Sequence, residues 1–92
     1  MRVQAGYSAV DLMGHVNNAR YVEWISDCFP MQEHSHKNLD WLQVNYVNEV
    51  KPGETVSIAT HQNAGNPNLW AIQGTNLTNS ARAFEALLVW RE

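Results

Sequence analysis

The stretch Asn17-Asn18-Ala19-Arg20-Tyr21-Val22-Glu23-Trp24-Ile25-Ser26-Asp27-Cys28-Phe29-Pro30 decides the fold. Apolar residues recur in it at Ala19, Val22, Ile25 and Phe29, with Tyr21 and Cys28 flanking, while Arg20, Glu23 and Asp27 fall opposite. That spacing predicts an amphipathic helix with a wide buried stripe. Asn17 or Asn18 supplies an N-cap. Pro30 ends the helix, since its ring forces the preceding residue out of helical geometry. Tyr21 and Trp24, aromatic residues at helical spacing, read as core or interface.

Downstream the period changes from helical to two. Gln32 to Asn38 reads as an irregular polar connector. Leu42, Val44 and Tyr46 then alternate with Gln43 and Asn45, Lys51-Pro52-Gly53-Glu54 reads as a turn, and Val56, Ile58 and Thr60 resume the alternation. These two runs predict a hairpin. Asn63 to Asn68 is a longer loop, Leu69 to Thr78 a strand in which Gly74 marks a bulge, and Asn79-Ser80 a turn. The last strand, Ala81 to Arg91, is apolar on both faces toward its end, as a strand covered by a helix on one side would be. Upstream, Val3 to Ala9 reads as a short strand ending in a turn over Val10 to Gly14. The expected architecture is α+β: one long central helix on a five-stranded antiparallel sheet, in the order β-α-β-β-β-β.

Ninety-two residues close one core, so residues 1–92 are expected to form a single domain. A chain of this size buries only roughly 60 to 65% of its extended surface, so association would add stability. A net charge of −3 and six scattered basic residues argue against a nucleic-acid partner. The longest apolar run, Ala86 to Trp90, is far short of the ~20 residues of a membrane span, and no signal-peptide core is seen. Cys28, the sole cysteine, excludes a disulfide within the chain and favours a reducing compartment, so a cytoplasmic location is expected.

The densest cluster of reactive and backbone-organising residues is Asp11-Leu12-Met13-Gly14-His15-Val16-Asn17-Asn18, where a strand hands over to the helix. A helix start carries free N–H groups and partial positive charge, which suit the oxyanion of a carbonyl under attack. Gly14 lets a ligand approach the backbone, and the N–H of Val16 or Asn17 could hold the carbonyl oxygen. Asp11 and His15 flank Gly14, bringing a carboxylate and an imidazole to the same carbonyl. Glu49, at a strand end before the Lys51-Pro52-Gly53 turn, is a third candidate. His34 and His36, with His61 elsewhere, lack the cysteines or paired carboxylates of a metal site, so neither a metal nor a cofactor is expected. Cys28 has no basic neighbour to activate its thiol.

The run Asp11 to Asn18, followed by Tyr21 and Trp24, resembles the Asp-x-Asn-x-His-Val-Asn-Asn-x-x-Tyr-x-x-Trp pattern that opens the central helix of fatty acyl-acyl carrier protein thioesterases. Val44-Asn45-Tyr46-Val47-Asn48-Glu49, Gly53 and Trp90 are similar to that family's later strands. The resemblance implies a hot dog fold, hydrolysis of an acyl-CoA or acyl-acyl carrier protein, and catalytic positions at Asp11, His15 and Glu49. Two departures stand out: Met13 occupies the place of the pattern's Asn, and Val50 that of a Cys. The Asp-x-Met-Gly-His-Val-Asn-Asn run also resembles the single-domain 4-hydroxybenzoyl-CoA thioesterase group, in which the Asp is base or nucleophile. The acyl carrier protein enzymes carry two hot dog domains, and this chain resembles the second. A homodimer or homotetramer is therefore expected. The rival expectation is a weak or silent domain that binds an acyl thioester or serves a structural role.

Overall fold

The computed structural model describes residues 1–6 and 18–91, with Asn18 described for its backbone alone. Its elements are β1 (Arg2–Gln4), α1 (Asn18–Asp27), α2 (Met31–His36), β2 (Asn38–Tyr46), β3 (Thr55–Gln62), β4 (Leu69–Asn76) and β5 (Arg82–Arg91). The strands form one sheet in the order β1-β3-β4-β5-β2, antiparallel at each pairing. α1 packs on one face of it, giving the α+β hot dog arrangement expected. The described part of that helix is ten residues long.

Burial along α1 and just past its end is centred on Tyr21, Ile25 and Phe29, which are 3%, 1% and 7% exposed. This i, i+4, i+8 row is rotated from the expected stripe, for Ala19 is exposed and Val22 only half-buried. Three large side chains fill the trough above the sheet better than Ala19 and Val22 would. Burying side chains of this size contributes about 1.5–3 kcal/mol each. Opposite them Val56 and Ile58 (β3), Ile72 (β4) and Phe84, Leu88 and Trp90 (β5) alternate inward. Tyr21 meets Phe84, and Phe29 meets both Trp70 and Trp90, edge to face at 5.3–5.4 Å between ring centroids.

The ends of the elements depart from expectation in three places. α1 ends at Asp27 and Pro30 instead caps α2, so the expected polar connector is partly helical. α2 has no buried residue, hence no apolar periodicity to read; local pairs support it, with Lys37 Nζ 3.3 Å from Glu33 and Ser35 Oγ donating to the Met31 carbonyl. β1 is confined to Arg2–Gln4, Ala5 and Gly6 lie beyond it, and the rest of the expected strand and the turn at Val10–Gly14 fall outside the described residues. β4 stops at Asn76 rather than Thr78.

The expected hairpin between β2 and β3 does not form. β2 pairs with β5, and β3 sits between β1 and β4. The eight residues 47–54 are too many for a tight hairpin loop and carry the chain under the end of the sheet. Val50, fully buried within them, ties this crossover into the core.

The bulge lies at Gly74 as expected, but its extra residue is on the neighbouring strand. Gly74 pairs with Phe84 and Thr75 with Arg82, leaving Ala83 over. The Ala83 carbonyl takes the N–H groups of Val47 and Asn48 at 3.0 and 3.2 Å, so this residue also catches the crossover. A Cβ at Gly74 would overlap the Phe84 ring. Gly74→Ala should therefore destabilise the fold by about 1–3 kcal/mol, the usual range for overpacking. In a Phe84→Leu background the same change should cost less. Denaturant melts of both single variants and the double variant test this, and strictly additive costs would show that the ring and the glycine do not meet.

Candidate functional site

The helix-start end of α1 and the end of β2 come together around Tyr21. Its ring lies 5.2 Å from Trp24 and 5.4 Å from Tyr46, the last residue of β2. Burial raises the Tyr21 phenol above its ordinary value; the Val50 N–H offsets this in part, and Tyr46, Glu49 and Glu54 add to the rise.

Glu49 belongs to a well-fixed segment. Val47 and Asn48 are held by the Ala83 carbonyl, the Asn48 side-chain amide donates to the Arg82 carbonyl at 2.7 Å, and Val50 is buried. The Glu49 side chain itself is half exposed, with Lys51 Nζ 3.9 Å away. A carboxylate on a rigid segment, open on one side to solvent, can activate a water molecule or orient one. Lys51 also receives support from the turn that follows, where its N–H donates to Glu54 Oε1 at 2.7 Å.

The other predicted site residues, Asp11, Gly14, His15, Val16 and Asn17, lie outside the described residues, as does Met13. Of the predicted site, Glu49 is the member among the described residues. Sequence reasoning missed Val50, noticed only as the position of a family cysteine. The signal was an apolar residue beside a carboxylate in an otherwise polar turn.

The remaining reactive groups are placed elsewhere. Cys28 donates its thiol to the Trp24 carbonyl at 3.3 Å, and burial raises its pKa, an effect that the chain's N-terminal charge lowers and Asp27 adds to. Both effects work against a nucleophilic thiolate. His34 and His36 are on the exposed α2, and His34 Nε2 donates to the Ser26 carbonyl at 3.0 Å. His61 is in β3 on the far side of the sheet order. Among the described residues no group of three or more His, Cys, Asp or Glu could hold a metal ion. Among them, too, no helix is long and apolar enough to cross a membrane.

The same architecture recurs in solved structures. An acyl-ACP thioesterase from Bacteroides thetaiotaomicron is 25% identical with a TM-score of 0.90, over 99% of this chain and 36% of that one. A thioesterase from Thermus thermophilus, complexed with coenzyme A and Zn, is 20% identical with a TM-score of 0.83, over 99% of this chain and 75% of that one. The 12:0-ACP thioesterase from Umbellularia californica is 19% identical with a TM-score of 0.83, over 97% of this chain and 33% of that one. The last two likenesses bear on the fold alone. This chain spans about a third of the length of the Bacteroides enzyme. No curated protein matches it. Residues 1–89 match the model of the acyl-ACP thioesterase C-terminal domain, and the chain belongs to that family.

Proposed function

We propose that the chain is a cytoplasmic hydrolase of acyl thioesters, acting on an acyl-CoA or an acyl-acyl carrier protein conjugate. The observation that carries this reading is the family match over residues 1–89. The substrate carbonyl sits at the helix start, close to Gly14 and the N–H of Val16 or Asn17. Asp11 or Glu49 activates water or attacks directly, and His15 orients the substrate or protonates the departing thiolate. No cofactor takes part. The alternative, a weak or silent acyl-binding or structural domain, is favoured by Met13 at the place of the pattern's Asn.

Hydrolysis across short, medium, long and aromatic acyl-CoAs tests the reading. Asp11→Asn should lower turnover of the best substrate by at least about a hundredfold while binding survives, because loss of a base acts on the transition state. Glu49→Gln should cost less. Turnover like that of wild type in the Asp11 variant would end the mechanism.

Met13→Asn separates the two resemblances. Chemistry of the acyl carrier protein type predicts a rise in turnover number, and chemistry of the single-domain group predicts no change or a loss.

We also propose that residues 1–92 act as one hot dog domain that associates as a homodimer or homotetramer. β2 is nine residues long and among the described residues pairs only with β5, so its other edge is open to a partner. On the sheet face turned away from α1, Trp41 and Leu87 are 45% and 43% exposed. Sedimentation equilibrium at micromolar concentration should give a mass above 10.5 kDa. A clean monomer that still hydrolyses thioesters would refute the association.

A further inference from the structure

The start of the crossover is tied to two neighbouring residues of β5, and Asn48 grips both. The N–H groups of Val47 and Asn48 donate to the Ala83 carbonyl at 3.0 and 3.2 Å, and the Asn48 side-chain amide donates to the Arg82 carbonyl at 2.7 Å. In a regular strand successive carbonyls point to opposite edges, so two neighbours could not serve one segment. The bulge removes that bar. The Ala81 carbonyl takes the Asn76 N–H on the β4 side, Arg82 pairs with Thr75 and Phe84 with Gly74, and Ala83 is the residue left over. The extra residue gives the crossover two carbonyls in a row. Asn suits this pair, because its short side chain carries a donor to the carbonyl next to the one that its own backbone holds. On the other side of Glu49, Val50 is fully buried. Glu49 thus lies between a residue clamped on β5 and a residue sunk in the core.

We infer that Asn48 is a positioning residue, whose side-chain amide grips the bulge of β5 and thereby fixes the backbone from which the Glu49 carboxylate extends. The inference rests on the proposed function for the chemistry that Glu49 performs, but not for the hold itself. Asn48 is exposed, so its side chain is not there to fill the core. Its own N–H already has an acceptor on Ala83, and the amide adds a second grip one residue away.

Asn48→Ala removes the amide and leaves the backbone N–H groups in place. With the best acyl-CoA substrate, kcat should fall at least about fivefold with KM within about twofold of wild type, as for an interaction used in the transition state. A purely structural role would leave kcat per folded molecule unchanged, and that result overturns the inference. In a Glu49→Gln background the same change should alter kcat by less than about twofold. An equal loss in both backgrounds also overturns it, because Asn48 would then act independently of Glu49. Should no acyl-CoA be hydrolysed, or Glu49→Gln leave kcat unchanged, the proposed role of Glu49 fails, and the hold is read by deuterium exchange. The amides of residues 47 and 48 should exchange at least about tenfold faster in Asn48→Ala while those of β4 keep their rates, and unchanged exchange at Val47 overturns the inference. A measurement on wild type stands even if the variant does not fold. The order parameter of the Asn48 side-chain N–H bonds should be about 0.85, as for rigid backbone, and a value below about 0.6 refutes the clamp.

Discussion

The rest of the structure depends on one row of side chains, Tyr21, Ile25 and Phe29, laid along the inner face of the sheet. Without it the sheet's inner face would be an open apolar surface, since the other described helix, α2, buries no residue. The row does two different things along its length. At Phe29 it closes the core against Trp70 and Trp90, where edge-to-face rings fill a wide space. At Tyr21 it gathers Trp24, Tyr46 and Phe84, and so joins the helix to β2 and β5.

That crossover connects stability with the candidate site. It must run from β2 at one side of the sheet to β3 beyond β4, so it cannot be a tight turn. A long connection would ordinarily be mobile, yet this one has a buried residue, Val50, and two backbone bonds to the Ala83 carbonyl. Ala83 is the extra residue of the bulge, opposite the one strand position where the Phe84 ring leaves no room for a Cβ. Gly74, Phe84, Ala83 and Val50 therefore form one chain of dependences that ends beside a half-exposed carboxylate. Rigidity of this kind is what a carboxylate needs if it is to hold water at a fixed distance from a carbonyl.

The two reactive-looking groups elsewhere show the opposite arrangement. Cys28 gives its thiol proton to a helix carbonyl and is partly buried, and His34 gives its Nε2 proton to the Ser26 carbonyl. Both are occupied in closing the end of α1, where the carbonyls of the last turn need partners. Capping thus occupies the end of the helix opposite the start that the proposed reaction would use.

Helix, strands, bulge position and family were legible in the residues themselves, because each rests on local rules. Ala19 to Phe29 repeats with a helical period, β2 to β5 with a period of two, and Gly74 interrupts its strand where a side chain would not fit. The Asp11 to Trp24 pattern carried the family, a matter of spacing alone, although the site residues Asp11 to Asn17 lie outside the described residues and their geometry stays a proposal. The tertiary structure decided which strands are neighbours, which side of α1 is buried, and that a polar connector holds a helix. These are long-range matters. An alternating strand such as β2 satisfies its pattern equally well beside β3 or β5, and only the length of residues 47–54, the anchor at Ala83 and the burial of Val50 choose between them. α2 has no buried face to leave a period in the sequence, and the stripe on α1 turned toward Tyr21 because the space above the sheet rewards volume, which periodicity does not measure.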